Sequence, residues 1–135
     1  MKLYPVNWCS DLVNIPGVSP KAYYTETAFQ VYCADWLRKR YELTGNKAYA
    51  FWHHSANERN GSIAGFRAKM MGQAKGWPDF VHCGLRLAIE LKVPGGSLSP
   101  FQVKWLDYFK GIGWHSEAVF CFERFRTLVL ERAEN

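Results

Sequence analysis

Apolar side chains fall at helical intervals between Tyr23 and Leu43. Phe29, Cys33, Trp36, Leu37 and Arg40 recur at i, i+4, i+7, i+8 and i+11, which predicts one long amphipathic helix stopped by Gly45-Asn46. Lys47 to His54 alternates and is rich in aromatics, a strand pattern. A polar loop, Ser55 to Gly61, leads to a short helix over residues 62–73, broken at Gly76-Trp77-Pro78. The clearest alternation is LRLAIELKV. Leu85, Leu87, Ile89, Leu91 and Val93 point one way, and Arg86, Ala88, Glu90 and Lys92 the other. Ser99-Pro100 opens a further helix, as an N-cap followed by Pro at the first position, and it runs to about Lys110. Trp114 to Phe122 reads as a strand and Glu123 to Ala133 as a final helix. The order α-β-α-β-β-α-β-α implies an α/β fold, a mixed β-sheet flanked by helices. Residues 1–20, rich in Pro, Gly, Asn and Ser, read as an N-terminal arm packed through Leu3, Tyr4, Val6 and Trp8; residues 21–135 form a single domain.

The segment before LRLAIELKV, Asp79 to Cys83, completes a hairpin if Gly84-Leu85 forms a two-residue type II′ turn. Cys83 then pairs with Arg86, Val81 with Ala88 and Asp79 with Glu90. Opposed residues share a face, so Asp79, Glu90 and Lys92 converge on one side of the sheet, while Phe80, Ile89 and Leu91 take the other. His82 falls on that second, core side and reads as structural.

Composition narrows the class. The chain has 135 residues, enough for one domain that buries about two-thirds of its unfolded surface. No apolar run approaches the ~18 residues a membrane span needs, and the first residues lack a continuous apolar stretch of signal-peptide type, so neither a membrane protein nor a secreted one is expected. The four cysteines form no CxxC, which argues against a zinc ribbon and for free thiols in a reducing cytoplasm. Lys plus Arg number 17 against 12 Asp plus Glu, a net +5, beside six Trp, seven Tyr and nine Phe. A basic, aromatic-rich domain is compatible with a nucleic-acid partner, although charge of this size does not establish one.

The chemistry sharpens the picture. Carboxylates opposed across a hairpin repel, so the pair Asp79 and Glu90 calls for a compensating charge. A hard divalent ion, Mg²⁺ or Mn²⁺, takes such carboxylates and keeps sites for water and phosphate. Lys92, two residues past Glu90 on the same face, would stand beside that ion and orient a water or steady a phosphorane-like charge. Phosphodiester hydrolysis is the reaction that this set implies.

Gly76-Trp77-Pro78-Asp79 followed by Glu90-Leu91-Lys92 resembles the PD-(D/E)xK nuclease signature. His54-x-x-Asn57-Glu58, IELKVPGG and Ser99-Pro100-x-Gln102 are similar to the VRR-NUC branch, over about residues 23 to 130. The valine-arginine-arginine tripeptide that names the branch is absent. The resemblance implies a restriction-endonuclease-like core, with Asp79, Glu90 and the backbone carbonyl of Leu91 as metal ligands. It also implies Lys92 as catalytic, Glu26 on the first helix completing the acidic site directly or through water, and Gln102 beside it. It further implies a stand-alone, structure-selective DNA endonuclease of the cytoplasm of a bacterial cell or phage-infected host. Some similar proteins act as homodimers on four-way (Holliday) junctions. Flap, exonuclease or restriction-type specificity, or a non-enzymatic DNA-binding module, are the alternatives.

Outside the acidic set, His54, Asn57 and Arg59 are candidate DNA contacts, with an ordinary solvated loop as the competing reading. Arg67, Lys69 and Lys75 would touch phosphates and position DNA without reading sequence. Phe29, Trp36, Trp105 and Tyr108 lie on helical stripes and read as core or dimer surface.

Overall fold

The computed structural model of the chain describes residues 26–55 and 75–134. The arm 1–20, the helix expected over 62–73, and Asn57, Arg59, Arg67 and Lys69 lie outside the described residues. Helix α1 spans Glu26–Thr44 and buries Phe29, Cys33 and Leu37, the stripe that the helical spacing predicts. It ends at Gly45, at φ 68, whose N–H donates to the Tyr41 carbonyl at 2.8 Å. After it come strands β1 (His53–His54), β2 (Phe80–His82) and β3 (Leu87–Leu91), helix α2 (Pro100–Gly111), strand β4 (His115–Val119) and helix α3 (Phe122–Ala133). Among the described residues no helix is long and apolar enough to cross a membrane.

The four strands form one mixed sheet in the order β1-β2-β3-β4, antiparallel except for the parallel pair β3–β4. β2 and β3 pair Phe80 with Ile89, Val81 with Ala88 and His82 with Leu87, the register that the alternation predicts. Helices cover both faces. Phe80, Leu87, Ile89 and Leu91 pack against Phe29, Cys33 and Leu37 of α1 and Phe122, Phe125 and Val129 of α3. Val81 and Ala88 pack on the opposite face against Phe109 of α2, with Trp77, Trp105 and Trp114 around them. The sheet is thus the middle layer of three, and β3 is buried along its whole length. His82 is a core residue, as expected: its Nδ1 accepts from the Leu85 N–H at 3.1 Å, which leaves Nε2 to face the Lys47 carbonyl at 3.4 Å.

Three expectations need correction. The strand expected over Lys47–His54 is only His53–His54, because Asn46 caps a 3₁₀ turn, Lys47–Tyr49, by accepting from the Ala48 N–H at 2.9 Å. The hairpin is not a type II′ turn on Gly84. Four residues, Cys83–Arg86, join the strands, and the left-handed residue is Arg86 at φ 51. The strand expected over Leu85–Val93 is shorter, Leu87–Leu91, and both of its faces are buried.

Gly76 shows why a glycine precedes the Trp-Pro-Asp segment. Its φ is +83, and a Cβ there would stand 2.7 Å from the Phe101 backbone carbon and 2.8 Å from the Gln102 nitrogen. The chain thereby runs flush against the start of α2. Gly76→Ala should destabilise by about 2–4 kcal/mol through strain and overlap together, lowering the melting temperature by roughly 10 °C. Gly45, also left-handed but with nothing within 4 Å of its would-be Cβ, should lose only about 1 kcal/mol as Ala. Equal losses in the two variants, measured by thermal melts, would remove the close-approach explanation.

Candidate metal centre

Helices α1 and α2 approach from opposite layers and meet at the end of the sheet where β2 begins and β3 finishes. Asp79 stands one step beyond the last ladder pair, Phe80–Ile89, and so opposite Glu90. Its backbone is held by β1, since the Ser55 N–H donates to the Asp79 carbonyl at 2.9 Å. Its side chain is held from two directions. Oδ2 accepts from the Leu91 N–H at 2.8 Å, and Oδ1 accepts from Gln30 Nε2 at 3.2 Å.

Glu90 is fixed by α2. Ser99 and Gln102 form a capping box in which the Ser99 N–H donates to Gln102 Oε1 at 2.8 Å. With its oxygen occupied, the Gln102 amide turns its NH₂ toward the sheet and donates to Glu90 Oε1 at 2.9 Å. The cap of a helix thereby aims a carboxylate. Glu90 Oε2 is buried and, among the described residues, has no hydrogen-bond partner. Glu26, the first residue of α1, completes the group: Glu26, Asp79 and Glu90 each bring an oxygen to within 4.8 Å of the others.

Lys92 follows on the same face and is 91 % buried, with 9 % of its surface exposed. Its backbone N–H donates to the Val119 carbonyl at 2.9 Å, and Gly96 lies beside its stem, at a distance where a Cβ would make ordinary contact with Lys92 Cδ. Its ammonium charge acts on both Asp79 and Glu90. The Leu91 N–H faces Asp79, and in an extended strand a residue's carbonyl projects to the same edge as its N–H, so the Leu91 carbonyl faces this end too.

Burial is the main force on the two inner carboxyls. It drives Asp79 well above the ordinary carboxylate range, against the pull of the Leu91 N–H and with the push of the Glu26 charge. It drives Glu90 up as well, with the Asp79 charge adding and the Lys92 charge opposing. A neutralising cation relieves all of these penalties at once. The donor set is carboxylate and carbonyl oxygen, which suits Mg²⁺ or Mn²⁺ rather than a soft metal. Oxygens on opposite sides of an octahedral Mg²⁺ stand about 4.2 Å apart, so a 4.8 Å spread needs only small side-chain adjustment. The orphaned Glu90 oxygen is the atom that such an ion would satisfy.

The remaining candidates fall elsewhere. His54 lies on the α1 face, its ring stacked on Phe80 at 4.5 Å, and it reaches Asp79 only through Gln30, whose Oε1 is 3.3 Å from His54 Nε2. Lys75 is exposed, with Nζ 4.8 Å above the Phe101 ring. Trp105 packs on Trp77 at 4.8 Å, and Tyr108 is exposed. Gln30 is the residue that sequence reasoning missed. Its signal was its place one helical turn after Glu26, on the same face of α1. Comparison with protein-family models, curated proteins and solved structures returns no match to this chain.

Proposed function

We propose that this chain is a Mg²⁺- or Mn²⁺-dependent DNA endonuclease with a restriction-endonuclease-like core, working in the cytoplasm as a homodimer on four-way junctions. One observation carries the reading: Glu26, Asp79 and Glu90 bring carboxylate oxygens within 4.8 Å of one another beside a buried lysine, and among the described residues Glu90 Oε2 has no hydrogen-bond partner. A fold keeps so unfavourable a group only where something else satisfies it. The PD and ExK segments add the resemblance to metal-dependent nucleases.

Asp79, Glu90, Glu26 and the Leu91 carbonyl hold the ion in this reading, and Gln102 and Gln30 hold the carboxylates. When bound, the metal acidifies water and polarises a phosphoryl oxygen. Lys92 donates to the attacking water or to the developing phosphate charge, from a backbone held just past β3 by its N–H to the Val119 carbonyl. The net charge of +5 favours a phosphate backbone, and Lys75 stands on the α2 side of the centre to contact it. Two copies related by a two-fold axis suit paired incisions on a branched substrate. The free thiols Cys33, Cys83 and Cys121 fit a reducing compartment.

The test is cleavage of a labelled four-way junction beside flap and linear duplex, with Mn²⁺ and with EDTA. The expected result is Mn²⁺-dependent cutting of the junction, and a Lys92→Ala variant that binds it but cuts at least about a hundredfold more slowly. Absence of metal-dependent cutting on every substrate would overturn the reading, and wild-type cutting by Lys92→Ala would overturn the role of the lysine. Preferential cutting of the flap or the duplex would move the specificity and leave the chemistry in place.

A further inference from the structure

The acidic cluster is one end of a longer stripe on α1. Glu26, Gln30, Ala34, Arg38 and Tyr41 recur at about one turn each, so the stripe runs from the carboxylates to a second feature beyond Gln30. That feature is a cleft of about 300 Å³, walled by Arg38, Tyr41, Phe51, Trp52, His54 and Phe80. His54 is its link to the metal centre, because Gln30 contacts both His54 and Asp79.

Phe51 is what makes the cleft informative. Its φ is 61, a backbone conformation that favours glycine, and its ring is 77 % exposed. Strain and an exposed aromatic at one position both oppose folding, and among the described residues no packing repays them. The neighbouring Ala50 and Trp52 are fixed, the first by its N–H to the Lys47 carbonyl at 3.0 Å and the second by its indole N–H to the Ala48 carbonyl at 2.9 Å. Phe51 is therefore held out rather than loose.

We infer that this cleft is a nucleobase pocket, in which an unpaired base of the bound DNA stacks between Phe51 and the Tyr41, Trp52 and His54 rings. The inference rests on the proposed nuclease reading for its choice of occupant. Flat aromatic walls take any base by its π-face, as in sites that hold single strands without sequence readout, and the Arg38 guanidinium, paired with Asp35, closes one side. Arg38 and Tyr41 lie about 18–22 Å along α1 from Glu26, so a base in this cleft would stand within a few nucleotides of a phosphate at the acidic cluster. Flaps, frayed ends and a branch point opened on binding offer such unpaired bases, whereas an intact duplex does not.

The experiment uses the full chain in EDTA, where cleavage is silent, and reads fluorescence anisotropy of a labelled oligothymidylate and of a blunt hairpin duplex. Phe51→Gly removes the ring and suits the backbone, so it should melt no lower than wild type. It should lose about tenfold in affinity for the oligothymidylate and less than about twofold for the duplex, and Phe51→Trp should keep both. Unchanged single-strand affinity in Phe51→Gly overturns the pocket, as does an equal loss on both probes. A change of oligomeric state in Phe51→Gly, seen by light scattering, also overturns it, since the ring would then belong to a second copy of the chain. Mn²⁺ titration by calorimetry separates the two readings. Mn²⁺ uptake with a silent Phe51→Gly sinks the pocket alone; no Mn²⁺ uptake with a selective single-strand loss sinks the metal reading and keeps the pocket.

Discussion

Glu90→Gln should melt higher than wild type in EDTA and lose Mn²⁺-dependent cleavage by at least about a thousandfold. The two effects have one cause. Glu90 is 3 % exposed, its Oε2 has no partner, and the Asp79 carboxylate stands opposite. The amide removes a group that in the metal-free fold must either ionise in a buried site or hold a proton at a cost, and it keeps the oxygen that Gln102 Nε2 reaches at 2.9 Å. Its NH₂ takes the place of the orphaned oxygen and donates toward Asp79. The gain in stability should be about 1–3 kcal/mol, the range in which an uncompensated buried polar group costs a fold. Glu90→Ala should go the other way, because it leaves a void and strips Gln102 of its acceptor. A metal-free Glu90→Gln that melts below wild type would mean that the carboxylate stabilises the fold by itself, and the case for an absent cation would fail. A variant that keeps Mn²⁺ uptake would remove Glu90 from the ligand set.

The hairpin that carries this pair was legible because its information is local. Alternation from Leu85 to Val93 sets which residues share a face, and a slip of one residue would put Glu90 in the apolar layer, so the register Val81–Ala88 follows from pattern alone. The turn was not legible. A four-residue loop with Arg86 left-handed and the two-residue turn on Gly84 give the same register, so nothing in the strand pattern separates them. The strand expected over Lys47–His54 failed for a related reason. Alternating aromatics fit a strand, but Asn46 offers its side chain to the Ala48 N–H and wins locally. Gln102 was placed near the site by its position in the helix start, yet its function as a cap that aims Glu90 depends on both ends of one amide, which only coordinates reveal. Gln30 and the Phe51 cleft depend on how α1 crosses the sheet, a long-range matter that no spacing within α1 encodes.

Stability of the metal-free protein should fall as pH rises between about pH 5 and pH 8, the reverse of ordinary acid denaturation. Unfolded carboxyls ionise near pH 4, while burial holds those of Asp79 and Glu90 well above that in the fold. Over the interval between, the folded state keeps protons that the unfolded state has lost. Stability is therefore full below the unfolded values and drains away as pH climbs through the raised folded ones, by about 1.4 kcal/mol per pH unit for each proton retained. Glu117 has the opposite sign, because its hydrogen bonds with Arg124 lower its pKa, but its window lies below the ordinary carboxylate value and so below this range. His54 also opposes the trend: burial lowers its pKa, so its contribution grows as pH rises toward the ordinary histidine value. Glu90→Gln leaves His54 in place and removes one of the raised groups, so its pH slope should flatten. Saturating Mn²⁺ should invert the wild-type slope, since the ligands bind it ionised and the melting temperature gains more at pH 8 than at pH 5. Uptake of the ion should release protons, visible as a buffer-dependent heat in calorimetry. Parallel pH slopes for wild type and Glu90→Gln in EDTA, with a Mn²⁺ shift independent of pH, would sever the link between these two buried carboxyls and the metal.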